Sequence, residues 1–304
     1  MSSHTTSKRR TAAEAPPRSP SSAPTGPIPP RQFHSRKLWD IPNYAAMILV
    51  SLVCLVPVAV MLRIAVTPQV DWRQMPIDWL QAPDWTSFER VLGSAFPRAL
   101  FNSFLIALVT TAIVVVLSAM GGHALARMKG KHKDRFLFLV LGTRMGPAVV
   151  FALPIYLLAS GAGLIDTYAG IIAVYIVYNL AFGIWMMHGF FLDIPSEVEE
   201  AGLVDGLTEW GVFRKVSLPM AASGVIATAT LVFILTWNEF FYAFVLTQRT
   251  ANTFPTTIPG YFGAFQVEWG SMFAASTLGI LPPVIFGILA RKWLGKGLSG
   301  GLVD

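Results

Sequence analysis

Six long stretches that are free, or almost free, of charge constrain this chain more than anything else in its sequence. They run from Ile41 to Leu62, Ala99 to Ala126, Phe136 to Ser160 (interrupted only by Arg144), Thr167 to Leu192, Val216 to Asn238 and Trp269 to Ala290, with 22, 28, 25, 26, 23 and 22 residues. About 20 apolar residues in a helix cross the hydrocarbon layer of a bilayer. A backbone in lipid must also satisfy its own hydrogen bonds, which favours helices. The pattern therefore predicts an all-α membrane protein with six transmembrane helices, at about 41–66, 99–126, 136–160, 167–192, 217–246 and 269–291. Pro57, Pro147, Pro154, Pro282 and Pro283 lie inside these runs and are tolerated where neighbouring groups re-satisfy the backbone. The composition agrees: 13% of the 304 residues are charged, about half the share of a soluble domain.

Residues 1–37 are rich in Pro, Ser and Thr and lack apolar periodicity, so they read as a disordered tail. A cleavable signal peptide would carry its apolar core nearer the start, with a small-residue cleavage site after it. The first apolar run is therefore expected to stay in the membrane. With the N-terminus inside, 17 of the 23 Lys and Arg residues lie on inner segments, which places both termini in the cytoplasm. The net charge of +6 is then a record of topology and not a nucleic-acid footprint. The single cysteine, Cys54, lies in an apolar run and excludes an internal disulfide. Two outer connections carry aromatics: Trp72, Trp79 and Trp85 in the first, and Phe254, Tyr261, Phe262 and Phe265 in the second. Such rings anchor in lipid headgroups or meet an external partner protein.

The segment between the fourth and fifth runs, residues 193–219, has the signals of a folded helical hairpin. Ser196 and Glu199 form a capping-box pattern, with Glu197 and Glu200 adding negative charge to the first turn. Asp205-Gly206 is a turn signal that closes this helix. Thr208 can cap a second helix that carries Trp210 and Phe213 on one face, with Arg214 and Lys215 near its end. The expected product is a hairpin with an acidic first turn and an aromatic knob. An amphipathic helix lying on headgroups fits less well, because the acidic turn would be repelled by anionic lipid.

In this segment the chain resembles the permease subunits of binding-protein-dependent ABC importers. Their signature is Glu-Ala-Ala, three residues, Gly, nine residues, a branched apolar residue, any residue and Leu-Pro. Here it reads Glu200-Ala201-Gly202, then Gly206, then Val216-Ser217-Leu218-Pro219. Gly202 departs from the family's usual Ala. Further stretches are similar to the carbohydrate, MalG-like branch: Phe101-Asn102-Ser103, Gly163 to Tyr168, Ile184 to Met187 with Gly189-Phe190-Phe191, and Trp237 to Phe241. His188 stands where Arg or Lys is common, and the end from Leu298 lacks the usual basic residues.

The resemblance covers residues 38–298 and implies the six-helix, MetI-like permease fold of type I importers in a prokaryotic cell membrane, with residues 299–304 as a tail. It implies that the hairpin docks into a cleft on a separate ATPase. Trp210 and Phe213 would insert, and Glu199, Glu200 and Asp205 would lie near the contact. The implied partners are a second, homologous permease, two ATPase subunits that hold ATP and magnesium, an extracytoplasmic solute-binding protein and a sugar or polyol. The chain itself has no Gly-x-x-x-x-Gly-Lys-Ser/Thr phosphate loop, so no cofactor is expected in it.

Several residues are candidates for the translocation path. Arg144 is costly inside a span; it either lines the path or bonds backbone carbonyls freed by Pro147. Its height, about 13 Å in by helical rise, argues against a direct pair with Glu239 near the outer end of the fifth run. Trp237, Asn238, Glu239 and Tyr242 offer an aromatic face with planar hydrogen-bonding groups that suits a sugar; a belt or a contact with the partner permease is the alternative. Tyr156 in the third run is a further candidate. No metal-ligand spacing and no Ser, His and Asp arrangement emerges, so catalysis is not expected. An ATP-independent secondary transporter or channel is the competing class; it would require internal repeats or coupling acids inside the spans.

Overall fold

A computed structural model describes residues 37–68, 79–130, 132–263 and 266–299. The chain divides into two units, Met1–Leu52 and Val53–Asp304. The described part of the first is the opening stretch of α1 (Lys37–Ala65), whose side chains from Pro42 to Leu52 are exposed on every face. An apolar helix exposed all round is a surface made for lipid. Its Ser51 hydroxyl donates to the Met47 carbonyl at 2.8 Å, so the polar group is satisfied within the helix. The expected tails before Lys37 and after Ser299, together with Trp72 and Phe265, lie outside the described residues.

The second unit continues through α2 (Thr86–Leu92), α3 (Phe96–Arg127), α4 (His132–Met145), α5 (Ala148–Gly161), α6 (Tyr168–Leu192), α7 (Ser196–Val204) and α8 (Glu209–Val212). A π-helical turn (Phe213–Ser217) then leads into α9 (Leu218–Met220), α10 (Ala222–Trp237), α11 (Phe241–Leu246), α12 (Phe254–Thr257) and α13 (Trp269–Ser299). Among the described residues the only β pairing is an isolated bridge between Phe262 and Val267. Local chemistry explains the boundaries. Pro97 opens α3 where its missing N–H costs nothing. Thr167 caps α6 by accepting the Gly170 N–H at 3.1 Å.

Among the described residues, four helices are long and apolar enough to cross a membrane: Pro42–Ala65 of α1, α3, α6 and Trp269–Arg291 of α13. A fifth arises if Glu209–Met220 and α10 count as one span bent by 75°. Two of the expected spans therefore differ from single rods. The third breaks at Gly146-Pro147 into α4 and α5, because Pro147 lacks an N–H and disfavours the helical region at the residue before it. The fifth begins at Ala222 and ends at Trp237. Asn238 folds its amide back onto the Ile234 carbonyl at 2.8 Å, and the Glu239 carboxylate accepts the Tyr242 and Ala243 N–H groups that open α11.

The core is built on the α3–α6 pair. Small residues let the two backbones approach: Ser118 sits against Gly183, and a Cβ built at Gly122 would lie 2.7 Å from the His188 backbone nitrogen. Against this pair α10 packs with α13. The Trp237 indole N–H donates to the Gly279 carbonyl at 3.0 Å, and Phe233 stacks on Phe286 with centroids 4.3 Å apart. Asn179 of α6 donates to the Thr236 hydroxyl at 3.2 Å within the same buried layer. Phe254 also differs from its expected place at the membrane boundary. Its ring packs inward, 5.2 Å from Trp237 and 6.5 Å from Phe96.

Adding one methyl distinguishes these contacts. Gly122→Ala should destabilise the purified chain by about 1–3 kcal/mol, because backbone rather than a yielding side chain meets the new carbon. Gly189→Ala, where nothing lies within 4 Å, should leave the melting temperature in detergent unchanged.

Candidate functional site

The hairpin forms within the expected residues, but by different contacts. α7 starts at Ser196 with no side chain capping it, so the capping box does not form. Its end is a glycine-closed turn: the Gly206 N–H donates to Leu203 and the Leu207 N–H to Gly202, with Gly206 at φ +86°. Thr208 caps α8 by accepting the Gly211 N–H at 3.2 Å, as its position suggests. The helix then widens into the π turn, where the Leu218 N–H reaches the Phe213 carbonyl. A tighter turn would drive the Pro219 ring into the Lys215 carbonyl.

Glu199 is freed from capping because it faces inward. Its carboxylate accepts Arg127 Nε at 2.7 Å and Nη2 at 2.9 Å, the two-pronged geometry that guanidinium favours. Ser217 Oγ donates to Oε1 at 2.7 Å, and His123 Nε2 lies 3.2 Å from the same oxygen. Arg127 also reaches the Ile194 carbonyl at 3.0 Å. The end of α3, the start of the hairpin and its return are thus tied to one carboxylate. Burial of Glu199 opposes ionisation, but the Arg127 and Ser217 hydrogen bonds and the charges of Arg127 and His123 outweigh it. Together they lower its pKa to about 2.

This inward turn corrects part of the expected surface. Phe213 is only 7% exposed, its ring 5.1 Å from His123 and 6.3 Å from Phe191, so it anchors the hairpin instead of projecting from it. Trp210, 57% exposed and 5.2 Å from Phe213, is the projecting aromatic. Glu200, Ala201, Asp205, Gly206 and Pro219 are exposed, Leu218 is half-buried and Gly202 is buried. A Cβ at Gly202 would lie 3.2 Å from Val212, which explains why glycine suits this packing. Between hairpin and α3 lies a groove of about 760 Å³ lined by His123, Arg127, Lys129, Glu200, Trp210 and Phe213 among others.

The second group of candidates is dispersed. Arg144 lines a cavity of about 520 Å³ with Phe151, Ile155, Val177, Tyr178 and Tyr242. Its guanidinium carbon stands 4.9 Å from the Tyr178 ring centre and 5.0 Å from that of Phe182. Nη1 is buried with no hydrogen-bond partner among the described residues. Arg144 thus faces a cavity rather than open lipid. Tyr242 joins it there, 5.6 Å from Tyr178. Trp237 does not: it is buried in the α10–α13 packing with its N–H engaged. Asn238 is exposed and bonded to its own helix, Glu239 caps α11, and Tyr156 is partly exposed and is not among the residues that line the cavity.

Sequence reasoning missed Arg127, His123 and Ser217 at the hairpin and Asp166 in the turn between α5 and α6. Arg127 carries no local signal beyond its positive charge. Asp166 and Asn102 belonged to stretches marked by the resemblance, but nothing in their local pattern revealed their partners.

Comparison with known proteins places this geometry. Residues 115–300 match the family described as binding-protein-dependent transport system inner membrane component. The trehalose transport system permease protein SugB of Mycobacterium tuberculosis is 36% identical over 214 residues, 69% of this chain and 78% of that one. The trehalose/maltose transport system permease protein MalG of Thermococcus litoralis is 28% identical over 259 residues, 84% and 93% of the two chains. Among solved structures, a chain of a bacterial ABC transporter involved in the import of the acidic polysaccharide alginate superposes with a TM-score of 0.66 at 21% identity. That match covers 86% of this chain and 98% of the other.

Removing Arg127 would leave the Glu199 carboxylate buried without its main partner. Arg127→Ala should cost about 2–3 kcal/mol, below the usual 3–5 because the Arg127 side chain is 25% exposed; thermal unfolding in detergent measures it. The same pair has a pH signature. The carboxylate's pKa falls from an ordinary 4.5 to about 2, so its stabilisation is complete above about pH 5 and declines as pH falls from 4.5 towards 2. The difference in melting temperature between wild type and Glu199→Gln should be flat above pH 5 and shrink in that window.

Proposed function

Because this chain belongs to the family of inner-membrane components of binding-protein-dependent transport systems, we propose that it is the permease subunit of an ABC importer for a sugar or polyol. It would supply half of the translocation path, with a second, homologous permease supplying the other half. Two ATPase subunits would bind and hydrolyse ATP on the cytoplasmic side, and a solute-binding protein would deliver substrate from outside. The names of SugB and MalG, transporters of trehalose and of trehalose or maltose, support the substrate class.

The observation that carries the coupling role is the carboxylate-centred knot at Glu199. Energy from nucleotide binding reaches the membrane only if the docking element moves the spans with it. Glu199 joins α7 to the last turn of α3 through Arg127 and to the approach to α10 through Ser217. A displacement of the hairpin is therefore transmitted to two spans together. The exposed Glu200 and Trp210 offer charge and a large apolar face to the ATPase cleft, while Phe213 and Glu199 hold the hairpin from behind.

In this reading the chain crosses the prokaryotic cell membrane six times with both termini in the cytoplasm. The pair α4 and α5 is the third crossing, broken at Gly146-Pro147, and the bent α8–α10 segment supplies the fifth. Arg144, Tyr178 and Tyr242 line the route: aromatic faces stack on sugar rings, and a guanidinium donates planar hydrogen bonds to hydroxyls.

Glu200→Lys should reduce uptake and substrate-stimulated ATP hydrolysis at least about tenfold in the assembled importer, while membrane levels of the chain stay at wild type, since Glu200 is exposed. Uptake at the wild-type rate in this variant contradicts docking through the hairpin. Transport by this chain in liposomes without any ATPase subunit would overturn the importer reading in favour of an ATP-independent transporter.

A further inference from the structure

Asp166, in the turn between α5 and α6, has the only positive φ of any non-glycine residue described, +56°. Such a conformation costs an L residue about 1 kcal/mol or more, and the surroundings show what holds it. The Asp166 carboxylate accepts four successive backbone N–H groups from the segment after α11: Gln248 at 2.8 Å, Arg249 at 3.1 and 3.2 Å, Thr250 at 3.0 Å to each oxygen, and Ala251 at 3.2 Å. The Asp166 N–H in turn donates to the Leu246 carbonyl at 2.8 Å. A run of converging backbone N–H groups is a nest, the arrangement with which proteins hold phosphate and other anions. Here the anion belongs to the chain itself. Burial works against the charge, yet the four N–H groups outweigh it and hold the carboxyl well below the usual carboxylate range.

The rest of this loop is pinned from α3. Asn102 Nδ2 donates to the Thr250 and Asn252 carbonyls at 3.1 and 2.9 Å, Tyr168 donates to Asn102 Oδ1 at 2.6 Å, and Ser103 Oγ accepts the Phe254 N–H at 2.8 Å. Phe254 then plugs into the core. Residues 247–254 thus form a platform in which the backbone donors of 247–251 and 254 are committed, four of them to Asp166.

We propose that Asp166 is a positioning residue for transport: it is the built-in anion of the nest at Gln248–Ala251, and by filling it sets the outer loop that receives the solute-binding protein. This rests on the importer reading, which puts the loop on the outer face. Asp166 touches no substrate; it acts through the shape of the loop.

The test uses the full chain in nanodiscs and the importer assembled with its co-purifying binding protein. Asp166→Gly removes the carboxylate without backbone strain, since glycine accepts positive φ. Asp166→Asn keeps the volume, tolerates the same φ and loses the charge. Amide exchange at residues 248–251 should accelerate at least about tenfold in Asp166→Gly. The binding-protein concentration for half-maximal ATPase stimulation should rise at least about tenfold, with unstimulated ATPase unchanged. Acetate at about 100 mM, entering the vacated nest, should reverse both effects in Asp166→Gly and neither in Asp166→Asn, whose amide still fills the space. Unchanged exchange, or faster exchange with unchanged stimulation, overturns the proposal. Failure of both variants to assemble also overturns it, by making Asp166 a folding residue. A wild-type importer that no binding protein stimulates refutes the importer reading itself, whereas a stimulated wild type beside an indifferent Asp166→Gly refutes this proposal alone.

Discussion

One buried carboxylate ties the end of α3 to both arms of the hairpin that follows α6. Glu199 gathers a guanidinium, a hydroxyl and an imidazole from the end of α3 and from the far side of the hairpin. The geometry explains neighbouring features that otherwise look arbitrary. The π turn brings Ser217 inward, Phe213 closes over the His123 ring, and Gly202 is small because Val212 lies against it. A neutral side chain at 199 could pack there, but it would leave Arg127 and Ser217 to find water at a protein interior edge.

Within the membrane the organising constraint differs. Lipid offers no hydrophobic drive between helices, so close approach and internal hydrogen bonds decide which spans pair. Gly122 and Gly183 bring α3 and α6 together, and Trp237, Asn179 and Thr236 satisfy one another or nearby carbonyls in the α6–α10–α13 layer. At the breaks at Gly146-Pro147 and Ala221 the chain leaves regular helix, beside Arg144 and its cavity in one case and the hairpin in the other. At the opposite end of α6 a second carboxylate, Asp166, plays a part similar to that of Glu199, using backbone N–H groups in place of side chains.

Much of the architecture was legible in the chain. The apolar runs located α1, α3, α6 and α13, because long uninterrupted apolarity has one structural outcome in lipid. Thr208 and Asp205-Gly206 located the hairpin's inner corner, because caps and turns depend on neighbours only a few residues away. The third and fifth runs misled because apolarity does not report where a helix breaks, although Pro147 was visible. Trp237 and Phe254 misled as well: an aromatic near a span end suits headgroups, substrate or core equally, and only packing chose the core.

The acidic turn shows the division most clearly. The sequence by itself determined that residues 196–204 are helical, that the turn is acidic and that its spacing to Leu218-Pro219 follows the importer signature. These are local matters of propensity, charge and count. Only the tertiary structure decided that Glu199 faces inward and Glu200 outward, and that Trp210 projects while Phe213 does not. The reason is that the partner of Glu199 lies 72 residues earlier in the chain. A side chain's direction is set by whichever distant group the fold brings within reach, and no local pattern records that.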